Sequence, residues 1–166
     1  DSALKPNAYI TSHKTMEHNM KKVIATALMG LLAAPVFAEG DAAKGEKGFK
    51  KCKSCHTVVS DAGDVIVKGG KTGPNLYGVA GRTAGTSEGF KYGDDIVAAG
   101  EAGLVWDEAS FVAYTKDPKT FLKEATGNDG AKSKMTFKLK KGAEDIYAFL
   151  ASVAPAPAAA VEAESN

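Results

Sequence analysis

Cys52-Lys53-Ser54-Cys55-His56 brings together the only two cysteines of the 166-residue chain and a histidine. Two thiols separated by two residues can add across the two vinyl groups of one porphyrin edge, and a helical turn brings the next residue's imidazole under the iron. One pentapeptide thus makes three bonds to a c-type haem. A thioredoxin-like redox pair would need a βαβ context, which the sequence lacks, and half of a zinc site would need a second pair of ligands. Haem attachment is the reading that uses all three residues.

The second axial ligand depends on which part of the chain is mature. Met20-Lys21-Lys22 opens a charged segment, Val23 to Phe37 is a mostly apolar run, and Val36-Phe37-Ala38 offers a cleavage site. Residues 20–38 therefore read as a secretory signal peptide cut near Ala38, and the protein as exported to the periplasm. The run is shorter than the roughly 20 residues that span a bilayer as a helix. Asp1 to Asn19 shows no apolar period and reads as an upstream extension outside the fold. Beyond residue 38 the sequence holds one histidine, His56, and one methionine, Met135. No second histidine can complete a bis-histidine site, which makes Met135 the candidate sixth ligand. The plain alternative is a core gap-filler. However, Met135 sits in Lys132-Ser133-Lys134-Met135-Thr136-Phe137-Lys138, a cationic loop that is a poor place for a purely structural methionine.

Several elements must position these residues. Asp41 can cap a first helix running to the haem motif. Ile146, Phe149, Leu150 and Val153 recur at i, i+3, i+4 and i+7, the apolar stripe of a terminal helix. Asp107 precedes a helix whose Phe111, Val112 and Tyr114 turn inward. Asp117-Pro118 stops it and starts a short helix over 118–125. Val58-Val59 and Val65-Ile66-Val67, around Ala62-Gly63, read as a small hairpin, and the Gly-rich stretches from 69 to 103 as loops. The domain spans 39–153, and 154–166 is an Ala/Pro tail of disordered composition. So loop-rich a domain needs the apolar porphyrin as part of its core.

The whole chain carries 21 Lys plus Arg against 20 Asp plus Glu, with 44% hydrophobic and 25% charged residues. That composition describes a soluble globular domain, excludes collagen-like, low-complexity and polytopic membrane chains, and gives no basic surplus for nucleic acid. Locally the charges separate. Residues 44–71 hold seven lysines and three acids, 132–141 five lysines and no acid, and 88–129 nine acids and four lysines. The cationic segments carry both candidate iron ligands. Lys50, Lys53, Lys71, Lys134, Lys138 and Lys140 are accordingly expected to ring the haem edge and steer the protein toward acidic patches on partners.

Gly40-Asp41-Ala42-Ala43-Lys44-Gly45, Lys71-Thr72-Gly73-Pro74-Asn75-Leu76, Gly81-Arg82, Lys134-Met135-Thr136-Phe137 and Glu144-Asp145 together give residues 40–153 a family likeness. The sequence resembles the class I c-type cytochromes, in particular the larger bacterial cytochromes c2 and related periplasmic carriers. The resemblance implies a mainly α cytochrome c fold, three to five helices with long loops wrapped around one covalently bound haem. In that fold the first and last helices cross, here through Gly45 and Phe49 on one and Ile146 and Phe149 on the other. It implies that the Pro74 carbonyl accepts from His56, and that Arg82, Tyr92 and Trp106 hold the haem propionates. Tyr114 would place its hydroxyl near the methionine sulfur. Ser133 stands where the family usually has Thr, and Phe137 would cover the haem edge. The function implied is that of a monomeric one-electron carrier, not an enzyme. Its donor would be a cytochrome bc complex, and its acceptor a terminal oxidase such as cytochrome c oxidase, a photosynthetic reaction centre or a reductase. A haem enzyme or gas sensor would instead need an open sixth position and a distal acid–base group.

Overall fold

A carboxylate opens the first helix. Asp41 is extended and accepts the Lys44 N–H at 3.0 Å, which satisfies one of the free amides at the start of α1 (Ala42–Gly48). The computed structural model describes residues 40–154. The predicted upstream extension, the signal peptide and all of the tail except Ala154 lie outside the described residues. After α1 a single 3-10 turn, Phe49–Lys51, delivers the chain to Cys52. The expected hairpin forms from β1 (Val58–Val59) and β2 (Val65–Val67), which pair antiparallel with Val58 opposite Val67 and Val59 opposite Val65. Ile66 is left as a bulge.

The stretch expected to be loop from 69 to 103 contains a helix, α2 (Asp94–Glu101). Two acids in its first turn complement the positive end of the helix dipole. Its small residues Ala99 and Gly100 are buried, so they serve as packing positions rather than loop formers. The next two helices start as expected. Asp107 accepts the Ser110 N–H at 2.7 Å at the head of α3 (Glu108–Lys116). Asp117 accepts the Thr120 N–H at 3.3 Å, with Pro118 in the first turn of α4 (Pro118–Thr126). The last helix is α5 (Ala143–Val153).

Two apolar clusters hold these elements. In the larger one α1 crosses α5, where a Cβ at Gly45 would overlap the Asp145 carbonyl oxygen, so the backbones touch directly. Phe49 and Phe149 set their rings 5.7 Å apart, and Ile146 and Leu150 are almost wholly buried. Ile146 meets α1 at Gly48. The Asp41 N–H closes the junction by donating to Asp145 Oδ1 at 2.8 Å. In the smaller cluster Ala99, Leu122 and Ala131 tie α2 and α4 to the segment that leads to Met135. Between the clusters runs a short ribbon absent from the sequence reading. The Gly81 N–H donates to the Trp106 carbonyl, the Trp106 N–H to Arg82 and the Ala84 N–H to Leu104, each at 2.9 Å.

Candidate haem site

The Cys52–His56 segment is held by its own backbone. The Phe49 carbonyl accepts from the Cys52 and Lys53 amides at 2.7 and 3.1 Å, and the Cys52 carbonyl from the Cys55 and His56 amides at 3.0 Å each. These successive turns put Cys52, Cys55 and His56 on the wall of one cavity of about 320 Å³. The loop over 70–74 backs the segment, with Gly70 donating to Lys53 O and Gly73 to Cys55 O, both at 2.9 Å. A Cβ at Gly73 would overlap the imidazole, so this glycine makes the seat for the ring.

His56 Nδ1 donates to the Pro74 carbonyl at 2.9 Å, which fixes the tautomer and leaves Nε2 without a hydrogen-bond partner among the described residues. Burial holds the imidazole pKa below its ordinary value, and the Pro74 bond opposes that shift. The two thiols differ. Burial pushes Cys52 up to about 11, whereas hydrogen bonds from Thr72 and then Ser54 lower exposed Cys55.

Arg82 and Trp106 are neighbours through the backbone ribbon and line the same cavity, as does Tyr92. The Arg82 guanidinium donates to Tyr77 O at 2.9 Å and Asn75 O at 3.3 Å, which aims the side chain. Burial lowers its pKa, and among the described residues it forms no ion pair with a carboxylate. A half-buried guanidinium without a carboxylate partner is a place for an anion.

Met135 enters from the far end of the domain. Its strip of chain is anchored by fully buried Ala131 and by Leu139, whose N–H donates to Thr115 O at 2.8 Å. The Met135 N–H donates to Ser133 Oγ at 3.2 Å, and the same Oγ lies 3.3 Å from the Tyr114 hydroxyl. Tyr114 therefore bonds two residues before Met135, and burial raises its pKa. Phe137 lies at the cavity rim, 45% exposed.

The structure brings all eleven predicted cofactor residues to this one cavity: Cys52, Cys55, His56, Pro74, Arg82, Tyr92, Trp106, Tyr114, Ser133, Met135 and Phe137. Of the six lysines expected to ring it, only Lys134 lines it, joined by Lys51 and Lys132, which the sequence reading left out. Lys134 Nζ donates to the Lys91 and Tyr92 carbonyls at 2.7 and 3.1 Å, and Lys138 pairs with Asp117 at 2.6 Å. Lys50, Lys53, Lys71 and Lys140 are exposed and form no ion pair among the described residues. Sequence reasoning also missed Thr72 beside Cys55 and the apolar wall from Ile96 and Leu122. The two acids before Ile96 were the signal for the helix that carries it.

The residues present fit a c-type haem. Leu76, Val79, Ile96, Phe111 and Leu122 make an apolar slot, the two thiols and the imidazole lie on its wall, and Arg82 supplies an unpaired cation. The half-zinc-site alternative finds no cage, because no cluster of three or more His, Cys, Asp or Glu able to hold a metal ion occurs among the described residues.

No protein-family profile matches the chain. It is 63% identical over 135 residues to cytochrome c-551 of Roseobacter denitrificans, covering 81% of this chain and 96% of that protein. It is 59% identical over 129 residues to cytochrome c2 of Rhodobacter capsulatus, covering 78% and 93%. The X-ray structure of ferric cytochrome c-550 from Paracoccus versutus superposes with a TM-score of 0.68 at 58% identity, covering 70% of this chain and 100% of that one. With likeness at this level in both sequence and fold, the chain belongs to the class I c-type cytochromes, among the bacterial cytochromes c2, c-550 and c-551.

Proposed function

We propose that the protein is a soluble periplasmic one-electron carrier. Cys52 and Cys55 would hold one haem c through thioethers, and His56 and Met135 would bind its iron. The observation that carries this reading is the convergence of Met135 and the Cys52–His56 segment on one apolar cavity from opposite ends of the domain. Haem bound there supplies an Fe(III)/Fe(II) couple whose potential a thioether ligand raises relative to bis-histidine ligation.

The chain's own residues do the rest. Pro74 fixes the His56 ring, so the imidazole that would bind the iron keeps its orientation. Arg82, Tyr92 and Trp106 hold the propionates, with Ser133 as a further donor. Tyr114 and Ser133 brace the strip under Met135, and Phe137 shields the exposed edge. With His56 and Met135 both committed to the iron, no position would be left for a substrate, and the protein is not an enzyme.

The donor is a quinol-oxidising cytochrome bc complex, and the acceptor is a terminal oxidase, a photosynthetic reaction centre or a reductase. Docking uses the exposed lysines 50, 53, 71 and 140, with Lys138 engaging after release from Asp117 and Lys134 contributing charge from its place on the rim. The carrier acts as a monomer.

Absorption spectra of the ferric and dithionite-reduced holoprotein, with and without carbon monoxide, test the reading. The expected result is a weak far-red thioether-to-iron band in the ferric form, sharp reduced α and β bands and no response to carbon monoxide. A high-spin spectrum that shifts with carbon monoxide would replace the carrier with a haem enzyme or gas sensor.

A further inference from the structure

Arg82 stands between two cavities. It lines the apolar one, and it also lines a polar crevice of about 200 Å³ that it shares with Asp61, Asn75, Tyr77, Thr86, Ser87 and Glu88. The hairpin helps to build this crevice. Asn75 fastens β1 by exchanging hydrogen bonds with Val59, its Oδ1 accepting the Val59 N–H at 3.0 Å and its Nδ2 donating to the Val59 carbonyl at 2.8 Å. The main-chain carbonyl of Asn75 accepts from Arg82 Nη2 at 3.3 Å and from Ser87 Oγ at 3.4 Å. One residue thus ties together the hairpin, Arg82 and the loop that carries Glu88. The hairpin turn is closed by the Ser60 N–H on the Asp64 carbonyl at 2.9 Å and by the Asp64 N–H on Ser60 Oγ at 3.0 Å, which holds Asp61 in its place on the crevice wall. Asp61 and Glu88 are exposed, and neither closes to an ion pair with Arg82. Burial lowers the Arg82 pKa, and Tyr92 and then Asp61 oppose that shift, so the Asp61 carboxylate is felt at the guanidinium without touching it.

We propose that Asp61 and Glu88 are positioning residues for Arg82: they draw its guanidinium toward the outer crevice, in competition with the haem carboxylates, and so hold the reduction potential of the carrier down. The inference rests on Arg82 serving the haem carboxylates. Reduction adds one electron to the site while no bond forms or breaks and no proton moves, so the electrostatics of the wall decide which state is favoured. A guanidinium shared with two outer acids neutralises the inner carboxylates less, and the more negative surroundings favour the ferric state. The direct field of each outer acid is screened by water at its exposed position, whereas Arg82 is half-buried at the wall, which makes it the route by which the acids act. The hairpin then has a task of its own, to carry Asp61 to Arg82.

The test poises holoprotein against an excess of the ferricyanide–ferrocyanide couple and reads the reduced fraction from the α band, which gives the equilibrium constant for electron exchange. Asp61→Asn and Glu88→Gln keep the shape of each side chain and remove its charge. Each should move the constant about threefold toward reduced protein, the scale of one charge felt through partly screened surroundings. Asp64→Asn removes the same charge from the same hairpin turn but from a residue outside the crevice, and should move it far less. In an Arg82→Lys background, where the fork that two sides can share is gone, the effect of Asp61→Asn should shrink. An unchanged constant in either crevice variant, with a changed one in Arg82→Lys, overturns the inference alone. So does an equal shift in Asp64→Asn, or an Asp61→Asn shift that keeps its full size in the Arg82→Lys background. An Arg82→Lys protein with the constant of the parent overturns the role of Arg82 at the haem and the inference with it. Should Arg82→Lys fail to take up haem, the contrast between Asp61→Asn and Asp64→Asn decides.

Discussion

The Tyr114 hydroxyl is buried beside Ser133, and burial raises its pKa above the ordinary value of 10.0. The folded protein therefore keeps the phenol proton at a pH where the unfolded chain has released it. Stability from this group is fully present below pH 10.0 and is lost as pH rises through the raised folded value. Tyr114→Phe should lower the melting temperature of the holoprotein near neutral pH, where the bond to Ser133 is lost. It should close or reverse that gap above pH 10.0, where only the parent has a phenol to ionise at position 114. Thermal melts across that range check the sign, and a gap independent of pH would contradict it. At this scale the sequence already named the residues whose chemistry is written in type and spacing. Cys52, Cys55 and His56 follow from a fixed pentapeptide, and Met135 from a census of possible ligands. Thr72 against Cys55, or Lys134 against the carbonyls of Lys91 and Tyr92, could not be read that way, because their partners are chosen by the folded chain rather than by spacing.

The crossing of α1 and α5 decides between two opposed effects of removing a glycine. Replacing Gly by Ala inside a helix gains about 1 kcal/mol from propensity alone. At Gly45 the added Cβ would overlap the Asp145 carbonyl, and overpacking of a backbone contact costs about 3 kcal/mol. Gly45→Ala should therefore destabilise the protein. Gly48→Ala should be neutral or mildly stabilising, because its nearest contact is an Ile146 methylene at 3.4 Å. Urea unfolding of the two variants checks the contrast, and equal effects would mean that the crossing has relaxed. The elements with strong local signals were legible. Asp41, Asp107 and Asp117 announce three helix starts, the period of Ile146, Phe149 and Leu150 announces the fourth, and paired valines announce the hairpin. By contrast, α2 reads as loop in the sequence, because its alanines and its glycine resemble loop composition until burial shows that Ala99 and Gly100 are packing positions. The ribbon between Arg82 and Trp106 has no periodic pattern at all, since long-range pairing alone creates it.

For the molecule as a whole, charge separation should govern how fast it meets its partners. Lys53→Glu and Lys140→Glu should each slow electron transfer with a purified cytochrome bc complex several-fold at low salt, with the difference shrinking as ionic strength rises. Lys116→Glu, in the acid-rich stretch, should have little effect. Equal slowing by all three would show that net charge matters and its placement does not. The Asp41–Asp145 bond joins residues 104 apart in sequence, so α1 finds its helical partner only at the far end of the domain. During synthesis the two thiols emerge early, and α5, which packs on α1 and α3, emerges last. The order of maturation is thereby written into the topology. A porphyrin offered while the chain is still growing meets the thiols before α5 has docked on α1, and becomes the surface on which the later walls assemble.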